Sequence, residues 1–218
     1  MFSHVAVFGR GLSLRKWQYC NQRFQKAYLV NNMSEEVAFL HMDATLADEI
    51  IHVTGRKGAT VMTTEIYERL FLTKVVVNAK TPKHICNIKR YRTFVGNLCV
   101  RPDVMQNRGY SPLGNWKKIL RGESGKSHGS NGRCWPTTGL FAIDMALVET
   151  RPENIYLYGF DCYRENYLVK RNRPYQTQKD AKVKMMYVHL KKLVEEFPDT
   201  QFHCASRLEI EAPNWKEI

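Results

Sequence analysis

A chain of 218 residues that is 44% hydrophobic can bury one sizeable core, which sets it among globular domains rather than disordered or fibrous ones. No apolar run approaches the roughly 20 residues that cross a bilayer, and Met1-Phe2-Ser3-His4-Val5 lacks a signal peptide's basic-then-apolar plan, so a cytoplasmic protein is expected. Thirty-three Lys plus Arg against 21 Asp plus Glu give a formal charge of +12, an unusual balance for an enzyme of small neutral molecules and one that concentrates polyanions at the surface.

In chain order, residues 4–8 read as a buried strand ending in the turn Gly9-Arg10-Gly11-Leu12-Ser13, with Ser13 placed to cap a following helix. Residues 27–30 form a second strand that ends in Asn31-Asn32, and Ser34 with Glu35 and Glu36 opens a helical stretch to His41. A third strand over 50–53, a helix over 64–72 and a fourth strand over 75–77 follow. This βαβα alternation predicts a Rossmann-like α/β fold in one domain over residues 1–218, with a parallel sheet and helices on both faces.

From Lys80 to Arg133 prolines and glycines break the pattern, with another strand placed within 93–100. Residues 117–133 are rich in Gly and Ser, carry Lys117, Lys118, Arg121, Lys126 and Arg133, and are expected to form a mobile basic loop that closes on a ligand. Gly125-Lys126-Ser127 lacks the upstream strand and glycine of a phosphate-binding P-loop, so that reading is rejected.

Thr137, Thr138 and Gly139 then open an apolar helix, residues 154–158 form a strand, and Gly159-Phe160-Asp161-Cys162-Tyr163 turns at its carboxyl end. A helix N-terminus beside strand carboxyl ends favours an anionic ligand such as a phosphate. Residues 164–192 carry nine basic side chains against Glu165 and Asp180, and lead through a helix over 177–196 to a last strand over 200–204. The six cysteines show no Cys-x-x-Cys pair, so they read as free thiols and no metal is expected.

Four of these motifs, in this order, resemble the sialyltransferase-like glycosyltransferases: Gly9-Arg10-Gly11-Leu12-Ser13, Val30-Asn31, Pro136-Thr137-Thr138-Gly139 and Gly159-Phe160-Asp161-Cys162-Tyr163. The similarity covers roughly residues 4–58 and 133–205. It implies a sialyltransferase-like fold and a nucleotide-sugar donor, of UDP or CMP type, used without a metal. By that resemblance Gly9, Arg10, Gly11, Ser13 and Asn31 line the nucleotide. Thr137, Thr138 and Gly139 meet ribose or phosphate, while Arg133, Tyr163 and Tyr167 stabilise the departing phosphate.

The family's general base is a histidine that falls near residues 180–182, where this chain has none. An inverting transfer still needs a proton acceptor, so Asp180 is the candidate base and His128, on the loop, the reserve. His189, at helical spacing from Met186 and Leu193, reads as a packed or surface helix residue rather than a catalytic one.

The charge favours a DNA acceptor. The leading expectation is transfer of arabinose or glucose from a UDP-sugar to 5-hydroxymethylcytosine in duplex DNA, as bacteriophage-type enzymes do, with Trp116, Trp135, Tyr110 and Tyr175 available for base stacking. The alternatives are a CMP-sialic-acid-dependent transferase acting on a glycan, and a non-catalytic relative that binds nucleic acid.

Overall fold

The computed structural model of the protein describes residues 2–55, 62–72, 74–78, 98–100, 137–162, 168–169 and 179–218, with the backbone alone at 55, 64, 77–78, 98–100 and 179–185. Eight strands make one sheet: β1 (His4–Phe8), β2 (Phe24–Val30), β3 (Ala47–Gly55), β4 (Lys74–Asn78), β5 (Leu98–Val100), β6 (Asn154–Tyr158), β7 (Gln201–Cys204) and β8 (Trp215–Glu217). Their spatial order is β5-β4-β3-β2-β1-β6-β7-β8, and all the pairings are parallel.

Central parallel strands are covered on both faces, so they read as unbroken apolar runs. β1 shows the rule: Val5 and Val7 enter one core, Ala6 and Phe8 the other, and none of the four is exposed. Helices α1 (Ser34–Phe39) and α2 (Thr64–Arg69) supply Val37, Ile66 and Tyr67 to the core beneath Phe8. Helices α3 (Thr138–Thr150) and α4 (Lys179–Glu196) cover the opposite face. This is the Rossmann-like α/β architecture that the alternation predicts.

From Gly139 to Leu147 α3 is apolar around its circumference except for Asp144, and is buried. On α4, Met186, Leu190, Leu193 and Val194 recur at helical spacing and join the same core. His189 on the same helix is buried, at 1% exposed.

Some boundaries differ from the sequence reading. β3 begins at Ala47 rather than residue 50, because Asp48 and Glu49 are ladder residues that pair with Arg23 (2.6 Å) and Lys26 (2.7 Å), so the charge there belongs to the strand's start. α2 stops at Arg69, and Phe71 follows in the left-handed region at φ 47°. Ser13 does not cap an α-helix. Leu12–Tyr19 is a 3₁₀ segment preceded by Gly11, and the serine hydroxyl is committed elsewhere. The edge strand β8 is a three-residue element absent from the sequence reading, joined to β7 with Phe202 opposite Trp215. The expected mobile loop at 117–133 lies outside the described residues.

The winding fixes where a ligand can enter. From β1 the chain lays β2, β3, β4 and β5 outward in one direction, then returns to place β6, β7 and β8 on the other side of β1. In open α/β sheets the crevice at such a reversal, outside the strand carboxyl ends, is the ligand site.

Candidate functional site

At that reversal the turns after β1 and β6 grip each other. Gly9 N donates to Tyr158 O (2.7 Å) and Gly11 N to Gly159 O (3.0 Å). The backbones are so close that a Cβ on Gly9 would lie 2.5 Å from the Gly159 carbonyl oxygen, and one on Gly11 would enter the Asp161 carboxylate. Gly159 itself sits at φ +75°, where glycine is at ease and other residues are strained. The glycines of the first motif therefore serve strand-to-strand contact.

Side chains complete the clamp. Asp161, 4% exposed, accepts from Ser13 N through Oδ2 (3.2 Å) and from the Ser206 hydroxyl through Oδ1. With its proton given to Asp161, Ser206 Oγ accepts from the Ser13 hydroxyl (2.8 Å). Ser13 Oγ in turn accepts from Gly159 N (3.1 Å). A carboxylate and two hydroxyls thus tie together the loops after β1, β6 and β7. Burial pushes the neighbouring Cys204 thiol up to about 12, which keeps it protonated and unreactive, and Cys162 is buried beside it.

Arg10, 9% exposed, is held on α1: its Nε (2.8 Å) and Nη2 (2.6 Å) both reach Glu36 Oε1, and Glu36 is fully buried. Its charge is balanced inside the protein. The Arg10 carbonyl accepts from Leu168 N (2.9 Å), which brings the chain after β6 back over the first turn.

Asn31 ends β2 in the left-handed conformation, φ 63°, with its N–H on Val53 O (2.8 Å). Its carbonyl meets His52 Nε2 at 2.8 Å, and His52 Nδ1 lies 2.8 Å from Tyr67 Oη. A carbonyl only accepts, so Nε2 carries the proton and Nδ1 accepts from Tyr67. Complete burial depresses His52 to about 4 against the partial opposition of the Asn31 hydrogen bond, which keeps the ring neutral.

α3 starts beside the same turns. Thr137 caps it, its Oγ1 accepting from Leu140 N (3.3 Å). The N–H groups of Thr138 and Gly139, in the first turn, have no partner within the helix. Gly139 permits the approach, since a Cβ there would lie 2.8 Å from the Phe160 ring. The helix N-terminus and the carboxyl ends of β1 and β6 do meet.

No family model matches this sequence, and no curated protein is similar to it. Its fold, however, recurs in solved sialyltransferases. One is the sialyltransferase CST-II in complex with a trisaccharide acceptor and CMP, at 13% identity, 93% of this chain, 81% of that one and a TM-score of 0.53. Another is CstII from Campylobacter jejuni with the substrate analogue CMP-3FNeuAc, at 14% identity, 94% of this chain, 81% of that one and a TM-score of 0.52. The chain has the α/β fold of these enzymes.

Of the residues anticipated for the nucleotide, Gly9, Arg10, Gly11, Ser13, Asn31, Thr137, Thr138 and Gly139 stand together around the β1, β2 and β6 carboxyl ends. Their engagement is more structural than anticipated: Ser13 and Arg10 use their side chains on protein partners. Arg133, Tyr163, Tyr167 and His128 lie outside the described residues, as do Tyr110, Trp116, Trp135 and Tyr175. Asp180 falls in the first turn of α4, described by its backbone alone. Sequence reasoning missed Glu36, His52 and Ser206, whose roles arise from tertiary pairing; Asp161, although part of a quoted motif, had no assigned role. Among the described residues no group of three His, Cys, Asp or Glu could hold a metal ion, and no helix is long and apolar enough to cross a membrane.

Proposed function

We infer that the chain is a glycosyltransferase that uses a CMP-sugar, a CMP-activated sialic acid foremost, and transfers the sugar to a glycan hydroxyl. The observation that carries this reading is a fold shared over nine-tenths of the chain with sialyltransferases solved with CMP, CMP-3FNeuAc and a trisaccharide acceptor. The site agrees with it. A crevice at the sheet's reversal, flanked by the N-terminus of α3, offers backbone N–H groups and the Thr137 and Thr138 hydroxyls to a phosphate.

The reaction is an inverting displacement. The acceptor oxygen attacks the anomeric carbon, the bond from that carbon to the phosphate oxygen breaks, and the electron pair leaves with the nucleotide. Asp180 receives the acceptor proton, with His128 the reserve, and Arg133, Tyr163 and Tyr167 meet the developing phosphate charge. Gly9, Gly11 and Asn31 shape the nucleotide's place.

The +12 charge favours a second acceptor, 5-hydroxymethylcytosine in duplex DNA, with a UDP-sugar as donor. One assay separates the two. The protein is incubated with CMP-sialic acid or a UDP-sugar panel, together with a trisaccharide or hydroxymethylated DNA, and products are weighed by mass spectrometry. A sialylated trisaccharide supports the first reading, a heavier nucleoside the second, and neither product from folded protein rejects both.

A further inference from the structure

We propose that His52 is a positioning residue for the donor site: from the interior of β3 it holds Asn31 in the left-handed turn that ends β2, and so fixes Asn31 at the nucleotide crevice. The proposal rests on the glycosyltransferase reading above for the identity of the ligand. Its own basis is geometric.

A non-glycine residue at φ 63° occupies a small, costly region of conformational space, and asparagine is among the few that tolerate it. Left to itself, the end of β2 would sample extended conformations as well. Two bonds remove that freedom. Asn31 N donates to Val53 O (2.8 Å), and Asn31 O accepts from His52 Nε2 (2.8 Å), so both halves of the residue are tied to consecutive positions of β3.

The ring cannot turn away. It is fully buried, its rear nitrogen takes the Tyr67 hydroxyl at 2.8 Å, and the two rings lie 5.6 Å apart at 57°. Tyr67 comes from α2, 3% exposed, and packs in the core under β2 and β3. The relay from α2 through His52 to Asn31 thus joins the rigid interior to a residue at the mouth of the site. Any buried imidazole needs both nitrogens paired; what is particular here is the partner, since Nε2 reaches the backbone carbonyl of the very residue held in the left-handed turn. Apolar residues fill such a position at lower desolvation cost.

Glutamine and asparagine at position 52 test this, because each preserves one arm. His52→Gln places an amide where Nε2 stands and keeps the bond to Asn31; His52→Asn reaches only as far as Nδ1 and keeps the bond to Tyr67. Both put a neutral amide in the same buried place, so a merely structural role predicts similar losses. The measurement is CMP binding by calorimetry on variants that circular dichroism shows to be folded, with UDP as the second nucleotide and the donor KM and kcat alongside.

Positioning predicts that His52→Asn weakens CMP about five- to tenfold, the worth of one lost hydrogen bond, and raises the donor KM with little change in kcat. His52→Gln stays within about twofold of the parent on the same grounds. Equal affinities in the two variants overturn the proposal. Should both variants unfold, Tyr67→Phe, which like His52→Gln removes only the bond at the ring's rear nitrogen, is expected to hold CMP within about twofold of the parent, and a five- to tenfold loss overturns the proposal because the Asn31 bond is then not what fixes the site. A parent protein that binds neither CMP nor UDP overturns the glycosyltransferase reading itself, and is told apart by failing before any substitution is made.

Discussion

Ser13 and Asp161 are 148 residues apart in sequence, yet the Ser13 amide donates to the Asp161 carboxylate at 3.2 Å. That bond and the Ser206 hydroxyl on the other carboxylate oxygen occupy Asp161 on both sides. Asp161→Asn keeps the shape but turns one accepting oxygen into a donor. One of the two partners then faces another N–H, and a loss of about 1–3 kcal/mol is expected, visible as a lower urea midpoint with unchanged slope. An unaltered midpoint would show that the three loops are held by other means.

Glycine substitutions in the turns separate close packing from ligand contact. Gly9→Ala forces a methyl to 2.5 Å from the Gly159 carbonyl oxygen, backbone against backbone, and is expected to destabilise the fold by about 2–3 kcal/mol without any nucleotide present. Gly139→Ala meets the Phe160 ring edge at 2.8 Å, and a ring can shift where backbone cannot, so its cost is smaller. Thermal melting of the ligand-free proteins ranks the two. The reverse ranking would mean that Phe160 is the more rigid neighbour.

The Arg10–Glu36 pair is a buried ion pair, and removing one partner strands the other. Arg10→Met leaves the fully buried Glu36 carboxylate uncompensated, and a loss of about 3–5 kcal/mol is expected by chemical denaturation. The double change Arg10→Met with Glu36→Met recovers most of that loss. If Arg10→Met alone is tolerated and only nucleotide affinity falls, Arg10 acts on the ligand and its pairing is incidental.

Acid should find His52. Its folded value of about 4 lies below the ordinary 6.5, so the unfolded chain binds the proton more readily. Stability is therefore full above about pH 6.5, falls as the pH drops toward 4, and changes no further from this group below that; the span corresponds to about 3 kcal/mol. His203, also lowered by burial, adds in the same direction, so the informative quantity is the difference between the parent and His52→Gln. Parallel stability curves for the two between pH 7 and 4 would place the proton elsewhere.

The parts of the fold that were legible in the sequence are those dictated by local pattern. β1, α3 and β6 are apolar runs closed by glycine or opened by threonine, and they stand where the pattern puts them. β8 was not legible, since Trp215-Lys216-Glu217 is short and charged, and its place is set by pairing with β7 and by the Glu217 carboxylate accepting from Leu208 N and Glu209 N. The site divides in the same way. The crevice follows from the order of strands, and the glycines and threonines mark its rim. What each residue does there follows from tertiary contacts: Ser13 resembles a helix cap until Gly159 and Ser206, 146 and 193 positions away, claim its hydroxyl, and Arg10 resembles a phosphate ligand until Glu36, 26 positions away, does. His52 carries no local signal at all, because one histidine in an apolar strand is indistinguishable from packing until its two partners are known.

The reversal of the sheet at β1 also has a kinetic side. The first five strands can pair with near neighbours as they form, but β1 receives its second partner only when the chain beyond residue 150 has arrived. Contacts of such long range form late and slowly. The two walls of the crevice would then be among the last surfaces to come together, and any ligand bound between them would stabilise the native chain against the separation of β1 from β6.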